Sequence, residues 1–148
     1  MIKATIDRLE LICNVIPALL AVIDDKAFSE KPNPEKWSRK EIMGHLIDSA
    51  ANNHQRFVRA QFEERPRITY DQENWNRFNY YQQISTKQII SLWTAYNKQL
   101  VELMRRIPVE HLDRECEVGD KIVTLEFLIQ DYVKHLEHHL NQVINLNV

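Results

Sequence analysis

The sequence predicts an all-α protein, a four-helix bundle with one long crossover connection, formed by residues 1–148 as a single domain. Four segments carry apolar residues at helical spacing, and each is long enough to form one rod of a bundle. The chain has only two glycines, which argues against β-rich folds and glycine-rich phosphate loops. One connection, Arg67 to Ile84, is too long for a simple up-and-down meander.

The first helix is predicted from residue 2 to about residue 25. Pro17 falls inside this segment and removes one backbone hydrogen bond, so we expect a bend near Cys13 to Ile16. Phe28 to Lys36 contains two prolines and is predicted to be a loop. The apolar face of the helix is formed by Ile2, Ile6, Leu9, Ile12, Cys13, Ile16, Leu20 and Ile23.

The second helix is predicted to begin at Ser38, which forms a capping box with Glu41, and to end near Glu64 before Pro66. One side of this helix is apolar and packs in the core. Its other side is a line of polar residues that either faces solvent or lines a polar cavity between helices, and spacing does not distinguish the two. The line consists of Glu41, His45, Asp48, Asn52 and Arg56.

The connection from Arg67 to Ile84 is rich in aromatic residues, unlike a flexible linker. Asp71 is placed to cap a short helix through Trp75 and Phe78. The aromatic residues form either a satellite apolar cluster under a loop or the wall of a pocket, and the two interpretations have equal weight.

The third helix begins at a second capping box, Ser85 to Gln88, and runs to about Arg106. Val109 to Val123 is predicted to be irregular, with a turn around Gly119. Thr124 then caps the fourth helix, Leu125 to Leu146.

The fourth helix carries a pair of histidines that can bind a metal. His135 and His139 are four residues apart, so both lie on one face, while His138 projects to the polar side. Two imidazoles placed in this way can reach one ion at about 2.0–2.1 Å. Paired histidines are also common on ordinary helix surfaces, and this alternative stays open.

Catalytic zinc usually takes a third protein ligand. His45 is the favoured candidate, because Glu41 and Asp48 lie one turn to either side and suit a ligand whose second ring nitrogen needs an acceptor. His54 is predicted to be a packed or surface residue, and His111 to be exposed in a loop.

Composition excludes several other functions. The net charge is −2 without any basic block, so we expect no nucleic-acid partner. No apolar run approaches the ~18–20 residues of a membrane span, so we expect no membrane partner. The charged N-terminus does not resemble a signal peptide, and Cys13 and Cys116 form no disulfide framework, which together predict a cytoplasmic protein.

Two motifs on the second and fourth helices resemble the DinB/YfiT-like superfamily of metalloenzymes. They are Trp37-Ser38-x-x-Glu41-x-x-x-His45-Leu46-x-Asp48-Ser49 and His135-x-x-His138-His139. Arg56-Phe57 and Tyr70-Asp71-x-x-x-Trp75 are most similar to its bacillithiol-transferase-like branch. The resemblance extends from about Trp37 to Gln142.

This resemblance implies a four-helix bundle, often a homodimer, with a divalent metal that is zinc or nickel in most members. The implied ligands are His45, His135 and His139. Better-understood members transfer low-molecular-weight thiols to electrophiles or isomerise thiol adducts.

The first hypothesis is therefore a metal-dependent enzyme that transfers a low-molecular-weight thiol to an electrophilic small molecule. Asp48 would accept a proton or orient a ligand, and Arg56 would meet a carboxylate on the thiol. The second is a metal-dependent hydrolase of an ester or amide, with Asp48 as general base. The third is a non-catalytic bundle that binds metal or a partner.

Overall fold

The computed structural model describes residues 2–146, and four long helices dominate it. These are α1 (Ile2–Ala21), α3 (Arg39–Arg59), α5 (Thr86–Arg106) and α6 (Leu125–Val143). The connections contain two short helices, α2 (Asp25–Ser29) and α4 (Gln72–Phe78), and an antiparallel pair of strands, β1 (Glu115–Val118) and β2 (Lys121–Thr124). The predicted four-helix bundle is confirmed.

Polar caps begin the helices where the sequence predicts them. Ser38 accepts a hydrogen bond from the Glu41 amide, and the Glu41 carboxylate accepts one from the Ser38 amide, which completes the capping box. Asp71, Ser85 and Thr124 each accept from the backbone amide three residues further on. Each cap satisfies an amide that has no partner within its helix.

Three helices end earlier than the apolar pattern predicts. The α1 helix ends at Ala21, α3 at Arg59 and α6 at Val143. After Arg59 the chain tightens into a turn, in which the Gln61 amide donates to the Val58 carbonyl three residues back. The α1 helix continues through Pro17, and the predicted bend in it stays a prediction.

Regular structure extends into the two segments predicted to be irregular, Phe28 to Lys36 and Val109 to Val123. Asp25–Ser29 forms the short helix α2, which places Phe28 in the core. Residues 115–124 form a hairpin rather than irregular chain, with Gly119 in the turn at φ +63°. Glycine adopts this backbone angle without the steric cost that other residues have.

The direction of each helix follows from its contacts with its neighbours. Arg105, near the end of α5, pairs with Asp7 and Glu10 near the start of α1, so these two helices are antiparallel. By contrast, α3 and α5 are parallel, because Lys40 bonds the Ile84 carbonyl beside the start of α5, and His54, in the second half of α3, bonds Tyr96 in the middle of α5. The α6 helix packs against α3 and α1.

Because α3 and α5 are parallel neighbours, residues 60–85 must return along the whole length of α3. Hydrogen bonds attach this crossover to α3 at three points along the helix. Arg56 donates to the Ile68 carbonyl, Asn79 donates to the Asp48 carboxylate, and Lys40 donates to the Ile84 carbonyl. The one long connection predicted from the sequence is therefore confirmed, and it covers the side of α3 that carries the polar line.

The core lies between the four long helices and includes the fully buried rings of Trp93, Phe28 and Phe57. Removal of such apolar surface from water is the main force that holds helices of this kind together. No helix in the described part of the chain has the length and apolarity needed to cross a membrane.

Candidate metal centre

The structure brings the three predicted ligands together. His45 lies in the second turn of α3, and His135 and His139 lie near the end of α6. Their ring centroids are 4.5–5.0 Å apart, and one nitrogen from each ring lies within 4.8 Å of the others. Within residues 2–146, no other group of three histidine, cysteine or acidic side chains comes this close together.

Local sequence explains this meeting. The i,i+4 spacing of His135 and His139 places both rings on the side of α6 that faces α3, beside the apolar stripe. His45 is on the same helical side as Leu46 and Ser49, which are buried where α3 packs in the bundle. Because α3 and α6 run in opposite directions, the start of one lies beside the end of the other.

The distance between the His45 and His135 nitrogens fits a divalent ion. His45 Nε2 and His135 Nε2 are 3.2 Å apart. Two nitrogens that each lie 2.0–2.1 Å from one ion are about 3.3 Å apart at a tetrahedral angle. A hydrogen bond also has this length, so the third ring is what distinguishes a metal site from a simple pair. Three convergent imidazoles match the ligand set of open catalytic zinc sites.

Burial favours the neutral form of all three rings. Burial, reinforced by the neighbouring rings of His135 and His139, lowers the pKa of His45 to about 3. Burial and His139 lower the pKa of His135 to about 4, although Asp131 opposes this shift. Burial also lowers the pKa of His139. Neutral imidazoles keep their lone pairs available for a metal.

Neighbouring side chains orient two of the rings. The amide oxygen of Gln142 accepts from His139 Nδ1 at 2.9 Å, which leaves Nε2 of that ring for a metal. Trp37 packs on His45 with ring centroids 4.9 Å apart. Gln142 was not among the predicted site residues, although its i,i+3 spacing from His139 is a detectable signal.

The other three histidines lie outside the cluster. His138 is exposed, as predicted. His54 is half-buried and bonds the Tyr96 hydroxyl at 2.9 Å. His111 was predicted to be exposed but is half-buried, because its Nδ1 donates to the Gln61 side-chain oxygen.

The polar line on α3 is buried beneath the crossover rather than solvated. His45 and Asp48 are each 1% exposed, Asn52 is 2% and Arg56 is 7%, while Glu41 is half-buried. The crossover supplies polar partners for Asp48 and Arg56, and periodicity along α3 alone does not reveal them. The alternative that the sequence left open is therefore decided in favour of a polar interior.

Asp48 lies three residues after His45 and faces the crossover. Its Oδ1 accepts hydrogen bonds from the Tyr81 hydroxyl and from Asn79 Nδ2, whereas its Oδ2 is buried without a partner. Burial raises the pKa of this carboxyl to about 6, although both hydrogen bonds oppose the rise. The Tyr81 ring lies against α3 at Gly44, where there is no room for a larger residue.

Arg56 lies eleven residues beyond His45 on α3, about 16 Å along the helix axis at 1.5 Å per residue. Its guanidinium donates twice to the Ile68 carbonyl and once to the Asn53 side chain. Burial lowers the pKa of Arg56. These bonds attach the crossover to α3, and the catalytic role predicted for Arg56 stays a prediction.

The aromatic residues of the crossover divide into two groups. Tyr81 is buried against α3, whereas Trp75, Phe78 and Tyr80 are 38%, 60% and 57% exposed. A satellite cluster does not account for Phe78 and Tyr80, which are more than half exposed, whereas Trp75 packs on Tyr70 with ring centroids 5.7 Å apart. A cavity of about 550 Å³ lies here, and Trp37 and Tyr81 form part of its wall.

Together, the fold and the site define a class of protein: a four-helix bundle that presents three neutral imidazoles, from two helices, in an arrangement suited to a divalent metal. A family model of the DinB superfamily matches residues 8–143. The chain belongs to the DinB superfamily.

Two curated relatives are close enough to align over most of the chain. A protein of Oceanobacillus iheyensis named "putative metal-dependent hydrolase" is 24% identical over 145 residues, which are 92% of this chain and 79% of the relative. YfiT of Bacillus subtilis, which has the same name, is 26% identical over 114 residues, or 75% of this chain and 64% of YfiT.

Solved structures share the fold. The structure of YfiT, which is described as a four-helix bundle of unusual topology, has a TM-score of 0.80 at 24% identity and covers 93% of this chain and 83% of YfiT. A mycothiol-dependent maleylpyruvate isomerase has a TM-score of 0.76 at 14% identity. That match covers 95% of this chain but 60% of the isomerase, so much of the isomerase has no counterpart here.

Proposed function

We propose that this chain is a divalent-metal-dependent enzyme that transfers a low-molecular-weight thiol to an electrophilic small molecule. The observation that carries the proposal is the set of three buried or half-buried imidazoles without a carboxylate among them. The proposed ligands are His45, His135 and His139, and the metal is zinc or nickel.

The neutral ligand set favours an anionic reactant. At neutral pH His45 and His135 are unprotonated, since their pKa values lie near 3 and 4. A divalent ion held in this way keeps its full charge, deprotonates a coordinated thiol outright and lowers the pKa of bound water to about 7. The choice between thiolate and hydroxide as nucleophile therefore depends on which reactant binds beside the histidine cluster.

The protein shapes the approach to the cluster. His45 is 1% exposed behind Trp37, whereas His135 and His139 are half-buried, so a reactant reaches the cluster from the side of α6. We assign the electrophile to the aromatic segment of the crossover, where Trp75 and Phe78 are 38% and 60% exposed.

The reaction balances without a redox partner. The S–H bond of the thiol breaks, a C–S bond forms to the electrophile, and the proton goes to solvent. In a substitution the leaving group departs with the bonding electron pair, and in an addition a proton returns to the electrophile. The fold shared with a mycothiol-dependent isomerase supports thiol chemistry on this scaffold.

A metal-dependent hydrolase is the second candidate, because relatives carry that name and because burial raises the pKa of Asp48 to about 6. A general base is most effective when its pKa lies near the operating pH. Against this candidate, Asp48 is 1% exposed, and one carboxylate oxygen is already occupied by Tyr81 and Asn79.

The test compares both reactions in protein purified without a histidine tag and loaded with zinc or nickel. One panel contains low-molecular-weight thiols with an alkylating electrophile, and the other contains nitrophenyl esters and anilides. We expect metal-dependent thioether formation by the wild type and by His138→Ala, and none by His45→Ala. Ester or anilide turnover without thiol transfer would favour the hydrolase. Tight metal binding without either activity would favour a non-catalytic metal- or partner-binding protein.

A further inference from the structure

Two buried polar atoms without partners lie one turn apart on α3. They are His45 Nδ1 and Asp48 Oδ2. The third such atom among the described residues, Trp93 Nε1, is in the core on α5. A buried polar group without a hydrogen bond destabilises the folded state, so a pair of them on one helical face requires an explanation.

The two atoms have complementary hydrogen-bonding character. His45 Nε2 points into the histidine cluster, 3.2 Å from His135 Nε2. When that nitrogen offers its lone pair to a metal, the hydrogen of the neutral ring is on Nδ1, which becomes a donor. Asp48 Oδ2 can only accept while the carboxylate is ionised.

Asp48 is the only acidic residue of α3 with a buried carboxylate oxygen that has no hydrogen-bond partner. Glu41 is one turn before His45, but its Oε1 already accepts from the Ser38 amide and from Lys31 Nζ. Asp48 Oδ1 is occupied by Tyr81 and Asn79, which fixes the carboxylate plane and leaves Oδ2 as the open acceptor.

We propose that Asp48 is a positioning residue for the metal centre: its Oδ2 accepts the Nδ1–H of His45 through one ordered water molecule. The two atoms are not in direct hydrogen-bond contact, and a water needs two or more polar partners of this kind to be retained inside a protein. Acceptors behind metal-binding histidines fix the tautomer and ring orientation and raise ligand basicity. The inference rests on the proposed metal site.

This assignment gives one carboxylate two tasks. Oδ1 holds the crossover to α3 through Tyr81 and Asn79, and Oδ2 holds the ring of His45. Asp48 then acts through His45 rather than on substrate. The hydrolase candidate consequently loses its general base.

The test is the zinc affinity of Asp48→Asn, measured on untagged protein by competition with a chromophoric chelator. Tyr81 and Asn79 both donate to the same oxygen, so the amide oxygen of the variant takes that place and its NH₂ group replaces Oδ2. The attachment of the crossover is kept, but the water then meets a donor on each side, and its own hydrogens lose the carboxylate oxygen as acceptor. We expect zinc affinity to fall by about 10–100-fold.

Tyr81→Phe is the matched control. It removes one bond from Oδ1 but leaves Oδ2 free to accept, so its zinc affinity should stay within about threefold of the wild type, while its melting temperature falls. In zinc-loaded protein with labelled histidine, the Nδ1–H resonance of His45 should be protected from solvent exchange in the wild type and in Tyr81→Phe, and lost in Asp48→Asn.

Asp48→Asn binding zinc as tightly as the wild type would overturn the inference and leave the proposed function standing. Equal losses of affinity in Asp48→Asn and Tyr81→Phe would also overturn it, because Asp48 would then act only by holding the crossover. A wild-type protein without zinc affinity would instead refute the proposed metal site itself.

Discussion

Each histidine of the cluster contributes one nitrogen, and removal of any one ring leaves two ligands. We expect His45→Ala, His135→Ala and His139→Ala each to lose zinc affinity by about 100-fold or more, since loss of a residue that only hydrogen-bonds a ligand already costs about 10–100-fold. Elemental analysis of untagged protein should give about one zinc per wild-type chain and little in the variants.

His138→Ala is the control for that measurement. This histidine is next to His139 on α6, but its ring is exposed and it is not one of the three convergent side chains. Zinc content in this variant should equal that of the wild type. A matching loss in His138→Ala would contradict the ligand assignment.

The Asp48 carboxyl predicts a pH dependence of stability in metal-free protein. Burial raises its pKa to about 6 in the folded state, from a usual value near 3.8. The folded protein therefore binds the Asp48 proton more tightly than the unfolded chain does. The stability that protonation of Asp48 contributes is complete below about pH 4 and is lost as the pH rises through 6.

Asp48→Asn lacks this dependence. Between pH 4 and pH 7 the wild type should lose roughly 2 kcal/mol more free energy of unfolding than Asp48→Asn does, since one pKa unit corresponds to about 1.36 kcal/mol. Urea denaturation of both metal-free proteins across that range measures the difference. A constant difference between the two proteins would show that the pKa of Asp48 is not raised.

At the scale of elements, the close contact between α3 and the crossover depends on Gly44. A Cβ atom on this residue would lie 2.1 Å from Tyr81 Cδ2, and the Tyr81 ring is buried. We expect Gly44→Ala to destabilise the protein by about 1–3 kcal/mol through overpacking, despite the better helix propensity of alanine. Thermal or urea denaturation gives this value.

A double-mutant cycle isolates the cause. In a Tyr81→Ala background, Gly44→Ala should be neutral or stabilising by up to about 1 kcal/mol, because the ring is gone and only the helix propensity remains. Equal destabilisation in both backgrounds would mean that the cost arises elsewhere than at Tyr81.

At the scale of the whole molecule, the proposed ion connects α3 to α6, two helices that are distant in sequence. A ligand that binds only the folded state at 100 times its Kd stabilises it by about 2.7 kcal/mol. For a chain of this size we expect zinc to raise the melting temperature by about 5–10 °C.

A chelator should reverse this rise in melting temperature, and His138→Ala should show the full rise with zinc. His45→Ala should show no such rise, since only the two ligands of α6 then remain.

The homodimer implied by the family resemblance stays a prediction, and sedimentation of the zinc-loaded protein would test it.

Much of this molecule was predictable because the interactions responsible are local. Apolar spacing and the caps at Ser38, Asp71, Ser85 and Thr124 depend on residues within one or two turns, so they are readable in the sequence. The helix ends and the hairpin at residues 115–124 were less predictable, because strand pairing and chain reversal depend on packing with distant segments.

By itself, the sequence determined the four helices, the one long connection and the pairing of His135 with His139 on one face. Only the tertiary structure decided that His45 meets that pair, that the crossover buries the polar line of α3, and that Asp48 is held by Tyr81 rather than by solvent. The reason is physical: helical periodicity specifies directions around one axis, whereas these contacts require the distance and direction between axes, which the packing of the whole core determines.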